Sequence, residues 1–406
     1  MHAEQDPGPE LDELSLPDLR RRRSAKWTTY PPDVLPAWVA EMDYPLARPV
    51  AAALRAAVDR GDTGYANPPA GGLAAALAGF AERRHGWTID PDQIVTCNDV
   101  VSGLGGLLRV MTGPGAGVVI NPPVYHPFFT LVPEAGRELV EVPLLGGRDL
   151  DLEGIDRAFA AGARALILCN PQNPTGAVLD RGTLARVAEI AARHAAWVLA
   201  DEIHAPLTLP GAEHVPFVTV SPAAAARGVS LVSASKAFNL AGLGCAQIVT
   251  AGEPARSAVD RLSFAARHCG HLGVIAAEAA YARGDAWLDA IVTVLDSNRR
   301  LLAELLADRL PEAAYAEPRA SYLAWLDLSA LDLGADPAPA ILERGRLALS
   351  PGVQFGHGGE GFVRLNIGTS PALVEEATGR IVVKRRIESA GRAHPSWHRR
   401  GRSRSP

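Results

Sequence analysis

Three short apolar runs, each closed by a polar residue and set apart by helix-patterned stretches, constrain this chain more than any other feature. Residues 165–170 (ALILCN) are apolar up to Asn170 and stop at Pro171, as a buried strand does. Residues 197–200 (WVLA) form a second run ending at Asp201, and residues 229–232 (VSLV) a third leading into Ser233-Ala234-Ser235-Lys236. Between the first two, Asp180 is placed to cap a helix whose Leu184, Val187, Ala188 and Ala191 recur at helical spacing. Strand–helix–strand alternation of this length predicts an α/β fold, a mostly parallel sheet covered by helices. In open sheets of that kind the ligand site lies beyond the carboxyl ends of the strands. Asn170, Asp201 and Ser233 all fall there.

The 406 residues suggest two or three domains. From about residue 287 the texture changes. A long helical pattern through Leu301, Leu302, Leu305 and Leu306 leads to strand-like runs at 322–328 and 362–367, which predict a second, smaller α+β domain. The ends differ from both. Residues 1–24 read as a flexible arm and 389–406 as a disordered basic tail. Net charge is −5, so neither nucleic acid nor an anionic membrane surface is favoured as a partner. No apolar stretch approaches a transmembrane span and no secretory h-region precedes the Arg-rich segment, which points to a soluble cytoplasmic protein. Four dispersed cysteines without a CxxC pair support neither a disulfide framework nor a zinc site.

Four clusters carry the chemistry: residues 170–176 (NPQNPTG), Asp201-Glu202-Ile203-His204, Ser233-Ala234-Ser235-Lys236 and Arg364-Leu365-Asn366. Singly, each has an ordinary explanation as turn, cap or solvated loop. Their order on successive strand ends is far more specific. Competing motifs are missing: there is no G-x-G-x-x-G turn, no His-Glu-x-x-His pair and no G-x-S-x-G elbow. His268 and His271 read as structural.

With these clusters in place, and with Lys26-Trp27, residues 31–45 (PPDVLPAWVAEMDYP), Gly64-Tyr65, residues 122–128 (PPVYHPF) and Phe355-Gly356, the chain resembles the fold-type I pyridoxal-phosphate enzymes. Within the class I/II aminotransferase superfamily it is most similar to the MalY/PatB branch, the cystathionine β-lyase type of cysteine C–S lyase. The resemblance runs from about Arg23 to Lys384. It implies a segment over 25–50 that contributes to the small domain and the substrate entrance, a large cofactor-binding domain over 51–286 and a small domain over 287–388.

The resemblance also implies roles. Lys236 is the amine that links to the aldehyde of pyridoxal 5'-phosphate and later acts as base at the substrate Cα. Ionised Asp201 keeps the pyridine nitrogen protonated, and Asn173 donates to the ring phenolate. His204 stands where aminotransferases carry a tyrosine. Tyr125 stacks on the ring and belongs to the catalytic set. Ser233, Ser235 and the helix N-terminus at Val100 and Val101 hold the phosphate. The aminotransferase arginine eight residues after the lysine is Gly244 here, and Tyr65 of a neighbouring subunit compensates, making a homodimer the functional unit. Arg364 pairs with the substrate carboxylate. Trp38, Val39, Ala40, Asn173 and His126 complete the substrate side, and Asn366 supports local structure. The activity implied is α,β-elimination of a cysteine S-conjugate such as L-cystathionine to thiol, pyruvate and ammonia. Alternatives are an aminotransferase, decarboxylating or oxidative chemistry on a modified cysteine, or a regulatory binding protein on the same fold.

Overall fold

The computed structural model describes residues 14–67 and 72–391. After a two-residue strand, β1 (Leu35–Pro36), come the strands of the large sheet. These are β2 (Ile94–Cys97), β3 (Gly117–Ile120), β4 (Glu138–Glu141), β5 (Ala165–Cys169), β6 (Trp197–Asp201), β7 (Gly228–Val232) and β8 (Ala246–Val249). Their spatial order is β2-β8-β7-β6-β5-β3-β4. Only β8 runs against its neighbours. The three apolar runs are thus adjacent central strands, β5, β6 and β7.

Being central, these strands are apolar on both faces. Leu166 and Leu168 of β5 pack into one layer while Ala165, Ile167 and Cys169 pack into the other. The first layer is covered by the helix Arg181–Arg193, whose Leu184, Val187, Ala188 and Ala191 are buried. Asp180 accepts the Thr183 N–H at 2.7 Å and starts that helix, as its position in the sequence suggests. The second layer is covered by Val100–Met111, with Leu104, Leu107 and Leu108 inside.

The smaller sheet follows the long helix Asp285–Arg309. It contains β9 (Ala314–Tyr315), β10 (Leu323–Asp327), β12 (Ser350–Pro351) and β13 (Phe362–Asn366) in the order β12-β13-β10-β9, all antiparallel. A separate strand, β11 (Leu347–Ala348), pairs in parallel with β1. That pairing ties residues 35–36 to the C-terminal part of the chain, more than 300 positions away, which is how a segment near the N-terminus reaches the site.

The described part of the N-terminal arm is docked. Ser15 begins a short helix, Leu16–Leu19, Leu19 is buried, and Arg22 donates to the Asp43 carbonyl at 2.7 Å. The last helix, Pro371–Gly391, runs past residue 388, and the basic tail from 392 lies outside the described residues. No described helix is long and apolar enough to cross a membrane.

Candidate active site

The site opens at the carboxyl ends of β5, β6 and β7, where the parallel strands stop together. A cavity of about 180 Å³ is lined there by Asn173, Asp201, His204, Ser233, Ser235 and Lys236, with Val100, Val101 and Tyr125 closing it. A second cavity of about 480 Å³ shares Ala40, Tyr125 and Lys236 with the first. It continues outward past Trp38, Val39, His126 and Arg364. Every residue expected at the site lines one of these two spaces except Tyr65, which is 92% exposed on the surface of its own chain.

Asp201 is the last residue of β6 and points its buried carboxylate into the inner cavity. Burial raises its pKa to about 6, although the Ile203 N–H, donating at 3.1 Å, and the charge of Lys236 both hold it down. Lys236 lies in the short helix Ala234–Ala237 that follows β7. Its Nζ donates to the Ala40 carbonyl at 3.0 Å, and burial, then the charge of Arg364, brings its pKa down to about 8. An amine near 8 beside a carboxylate near 6 is an acid–base pair poised around neutrality.

Asn173 and Arg364 meet across the boundary between the sheets: the guanidinium donates to Asn173 Oδ1 at 2.9 Å. Arg364 also donates to the Trp38 carbonyl and to Ser350 Oγ, each at 3.0 Å, and lies over the Phe355 ring at 5.0 Å. Ser350 stands directly opposite Arg364 in the β12–β13 register. Burial lowers the Arg364 pKa to about 10, which leaves it charged.

His204 is buried with Nδ1 unpartnered, its ring edge-on to Tyr322 at 6.0 Å. Burial, then the charges of Lys236 and Arg364, pushes its pKa down to about 3, so it is a neutral imidazole. Ser233 caps its helix by accepting the Ser235 N–H at 3.1 Å, and its hydroxyl donates to the Cys245 carbonyl at 2.8 Å. Asp99 and Ser102 form a capping box at the start of Val100–Met111. That helix aims its N-terminus at the cavity, where an anion is favoured.

Gly244, where aminotransferases carry arginine, has φ +62°, and a Cβ there would lie 2.6 Å from Asn98 Oδ1. The left-handed backbone and the approach of Asn98 both favour glycine at this turn.

The family model described as aminotransferase class I and II matches residues 35–381. The chain belongs to that family. Cystathionine beta-lyase from Corynebacterium glutamicum is 38% identical over 374 residues, covering 92% of this chain and 98% of that protein. Cystathionine beta-lyase PatB from Bacillus subtilis is 37% identical over 359 residues, 86% and 92% of the two chains. Among solved structures, cystalysin from Treponema denticola, which contains pyridoxal 5'-phosphate, matches with a TM-score of 0.84 at 27% identity over 90% of this chain and 96% of that one.

The donor set of this family member fits the same cofactor. An amine and a carboxylate share the inner cavity, and the helix N-terminus and two serine hydroxyls border it as a phosphate site would require. Lys236 would take the aldehyde, Asp201 the pyridine nitrogen, Asn173 the phenolate and Tyr125 the ring face. Metal chemistry finds no such set: among the described residues no group of three or more His, Cys, Asp or Glu could hold an ion. His271 pairs with Asp62 at 2.9 Å, a structural role.

Sequence reasoning missed the supports of this site. Asp99 had a legible signal, an acid three residues before Ser102 at a helix start. Phe355 was singled out only as part of the resemblance, and Ser350 and Tyr322 had no signal for their roles, because these come from register and packing. Tyr322 donates to the Ala40 carbonyl at 2.9 Å, the acceptor that also holds Lys236. Asn366 holds the entrance segment by donating to the Val39 and Glu41 carbonyls at 2.7 and 2.6 Å.

Proposed function

We propose that the chain is a pyridoxal-phosphate-dependent carbon–sulfur β-lyase that converts a cysteine thioether to a thiol, pyruvate and ammonia. The observation that carries the reading is Lys236 lining both of two adjoining cavities, one with Asp201 and the other with Arg364, in a chain 37–38% identical to cystathionine beta-lyases. When bound, the cofactor supplies an aldehyde for the substrate amine and a sink for the electrons of the Cα–H bond.

The rest is the work of this chain's side chains. The Arg364 fork receives the α-carboxylate and fixes the substrate's orientation from the small-sheet side. Lys236 Nζ, whose pKa burial and the charge of Arg364 bring down to about 8, removes the Cα proton; a general base works best with a pKa near the operating pH. Asp201 supplies the negative charge that keeps the ring nitrogen protonated, and the neutral His204 adds no cation to oppose it. Tyr125 keeps its phenolic proton, because burial, then the charge of Asp201, raises its pKa. The Cβ–S bond then breaks, its electron pair goes to sulfur, and with the proton that Lys236 took from Cα the thiol leaves through the outer cavity. The aminoacrylate that remains is released and hydrolysed by water to pyruvate and ammonia.

The functional unit we propose is a homodimer in which Tyr65 reaches the phosphate end of its partner's cavity. Its exposed ring has no part in its own chain's cavities, and Gly244 leaves that end without an arginine.

Product analysis tests the activity. Pyruvate and free thiol should appear in equal amounts from a cysteine thioether with no 2-oxo acid added, and Lys236→Ala should lower the rate by about 10⁴-fold. Turnover that requires a 2-oxo acid would make the protein an aminotransferase instead.

A further inference from the structure

The outer cavity has a wall that the elimination chemistry does not use. Beyond Arg364 it is formed by Ala338, Leu342, Leu349 and Pro351, facing Tyr30 and Trp38. The two rings meet edge-on at 5.9 Å, and the Trp38 indole N–H is buried there without a partner, an uncharged donor. Among the described residues lining the space, only Lys236 and Arg364 carry charge. Lys236 is committed to proton transfer, and Arg364 to Asn173, Ser350 and the α-carboxylate. His126 also lines the wall, but burial and the nearby Arg364 lower its pKa, so it brings no cation.

One other feature could have received an anion, the N-terminus of the helix Ala338–Gly345. It is already taken: the Ala338 N–H donates to Asp336 Oδ1 at 3.1 Å, and that carboxylate meets the positive end of the helix. Among the described residues a substituent entering here therefore finds apolar surface and uncharged donors such as the Trp38 indole and Gln354, with no free cation and no anion to pair with an ammonium. The distal end of L-cystathionine bears both an ammonium and a carboxylate, and an unpaired charge pressed against apolar surface is strongly disfavoured.

We propose that the sulfur of the preferred substrate carries an uncharged alkyl or aryl group, packed between the helix Ala338–Gly345 and the Tyr30–Trp38 pair. This inference rests on the C–S lyase reading and narrows it. The wall selects the group on sulfur, while Arg364 and Lys236 accept any cysteine conjugate alike.

The test compares S-benzyl-L-cysteine with L-cystathionine on the holoenzyme by pyruvate release. The expected ratio of kcat/KM is at least about tenfold in favour of the benzyl compound. Gln354 lies on the same wall with its side chain exposed, so Gln354→Arg adds a cation without disturbing the core. That variant should narrow the gap at least about fivefold by improving cystathionine alone. A wild-type ratio below tenfold, or a ratio that Gln354→Arg leaves unchanged, overturns the inference and leaves the lyase reading standing. Pyruvate from neither compound overturns both.

Discussion

On the strand-end side of the cavity, charged and polar groups are buried with few partners. Asp201 accepts one backbone N–H, Lys236 donates to one carbonyl, and His204 Nδ1 meets nothing. On the entrance side, polar groups are buried and densely paired. Lys26 is 2.8 Å from Asp43 and donates to the Glu41 carbonyl at 3.0 Å, and the Trp27 indole N–H donates to the same aspartate at 3.2 Å. Asn239 binds the backbone of Met42 and Tyr44, and Asn366 that of Val39 and Glu41. The difference follows from what holds each side. The strand ends are fixed by a sheet whose ladder is complete, so they can carry groups whose partner is a ligand. Residues 37–45 form no regular ladder; isolated backbone bonds between Ala37 and both Ala348 and Asn366, and from Asp43 to Gly368, hold them, and the side chains of Asn239 and Asn366 satisfy most of the rest.

The contrast can be broken most severely at Lys26. In Lys26→Met the buried Asp43 carboxylate loses its ion partner, which should cost about 3–5 kcal/mol, read as a fall in Tm and denaturation midpoint. An unchanged Tm would show that the entrance does not depend on this pair.

The opposite sign is expected on the strand-end side. Because burial raises the Asp201 pKa from 3.8 to about 6, the folded cofactor-free protein holds that proton more tightly than the unfolded chain. Stability is therefore lost as pH rises through that window. Asp201→Asn should make the cofactor-free protein more stable at pH 7 by roughly 3 kcal/mol, at about 1.36 kcal/mol per pKa unit, with no gain below pH 4. Turnover should vanish in the same variant. Destabilisation at neutral pH would mean that Asp201 is compensated even without a ligand.

The smallest effect sharpens the boundary between the sides. Arg364→Lys keeps the charge but loses the planar fork, and kcat/KM should fall roughly 30-fold, about 2 kcal/mol. The loss should appear mainly in KM, since the base and the strand-end carboxylate are untouched. A fall in kcat alone would place Arg364 in the chemistry itself.

Much of the strand-end side was legible in one dimension. Buried parallel strands write themselves as short apolar runs, and the residue after each run is delivered to the same edge of the sheet. Asn170, Asp201 and Ser233 were located that way, and the cluster from Ser233 to Lys236 followed from its place after β7. The entrance side was legible only as a resemblance. Trp38, Val39 and Ala40 belong to no periodic pattern, and their place beside Arg364 depends on β1 pairing with β11 across more than 300 residues. Gly244 shows a third case: the sequence revealed that arginine was missing, and the backbone showed a left-handed turn that favours glycine there.

By itself the sequence determined three buried strands of a mostly parallel sheet and the groups that stand at their ends, because period and punctuation are local properties of the chain. Tertiary structure alone decided which of those groups would be left poised and which paired. Burial set Lys236 near 8 and Asp201 near 6, register put Ser350 against Arg364, and packing left the outer wall apolar. Desolvation and contact depend on neighbours far away in the chain, and no local pattern encodes them.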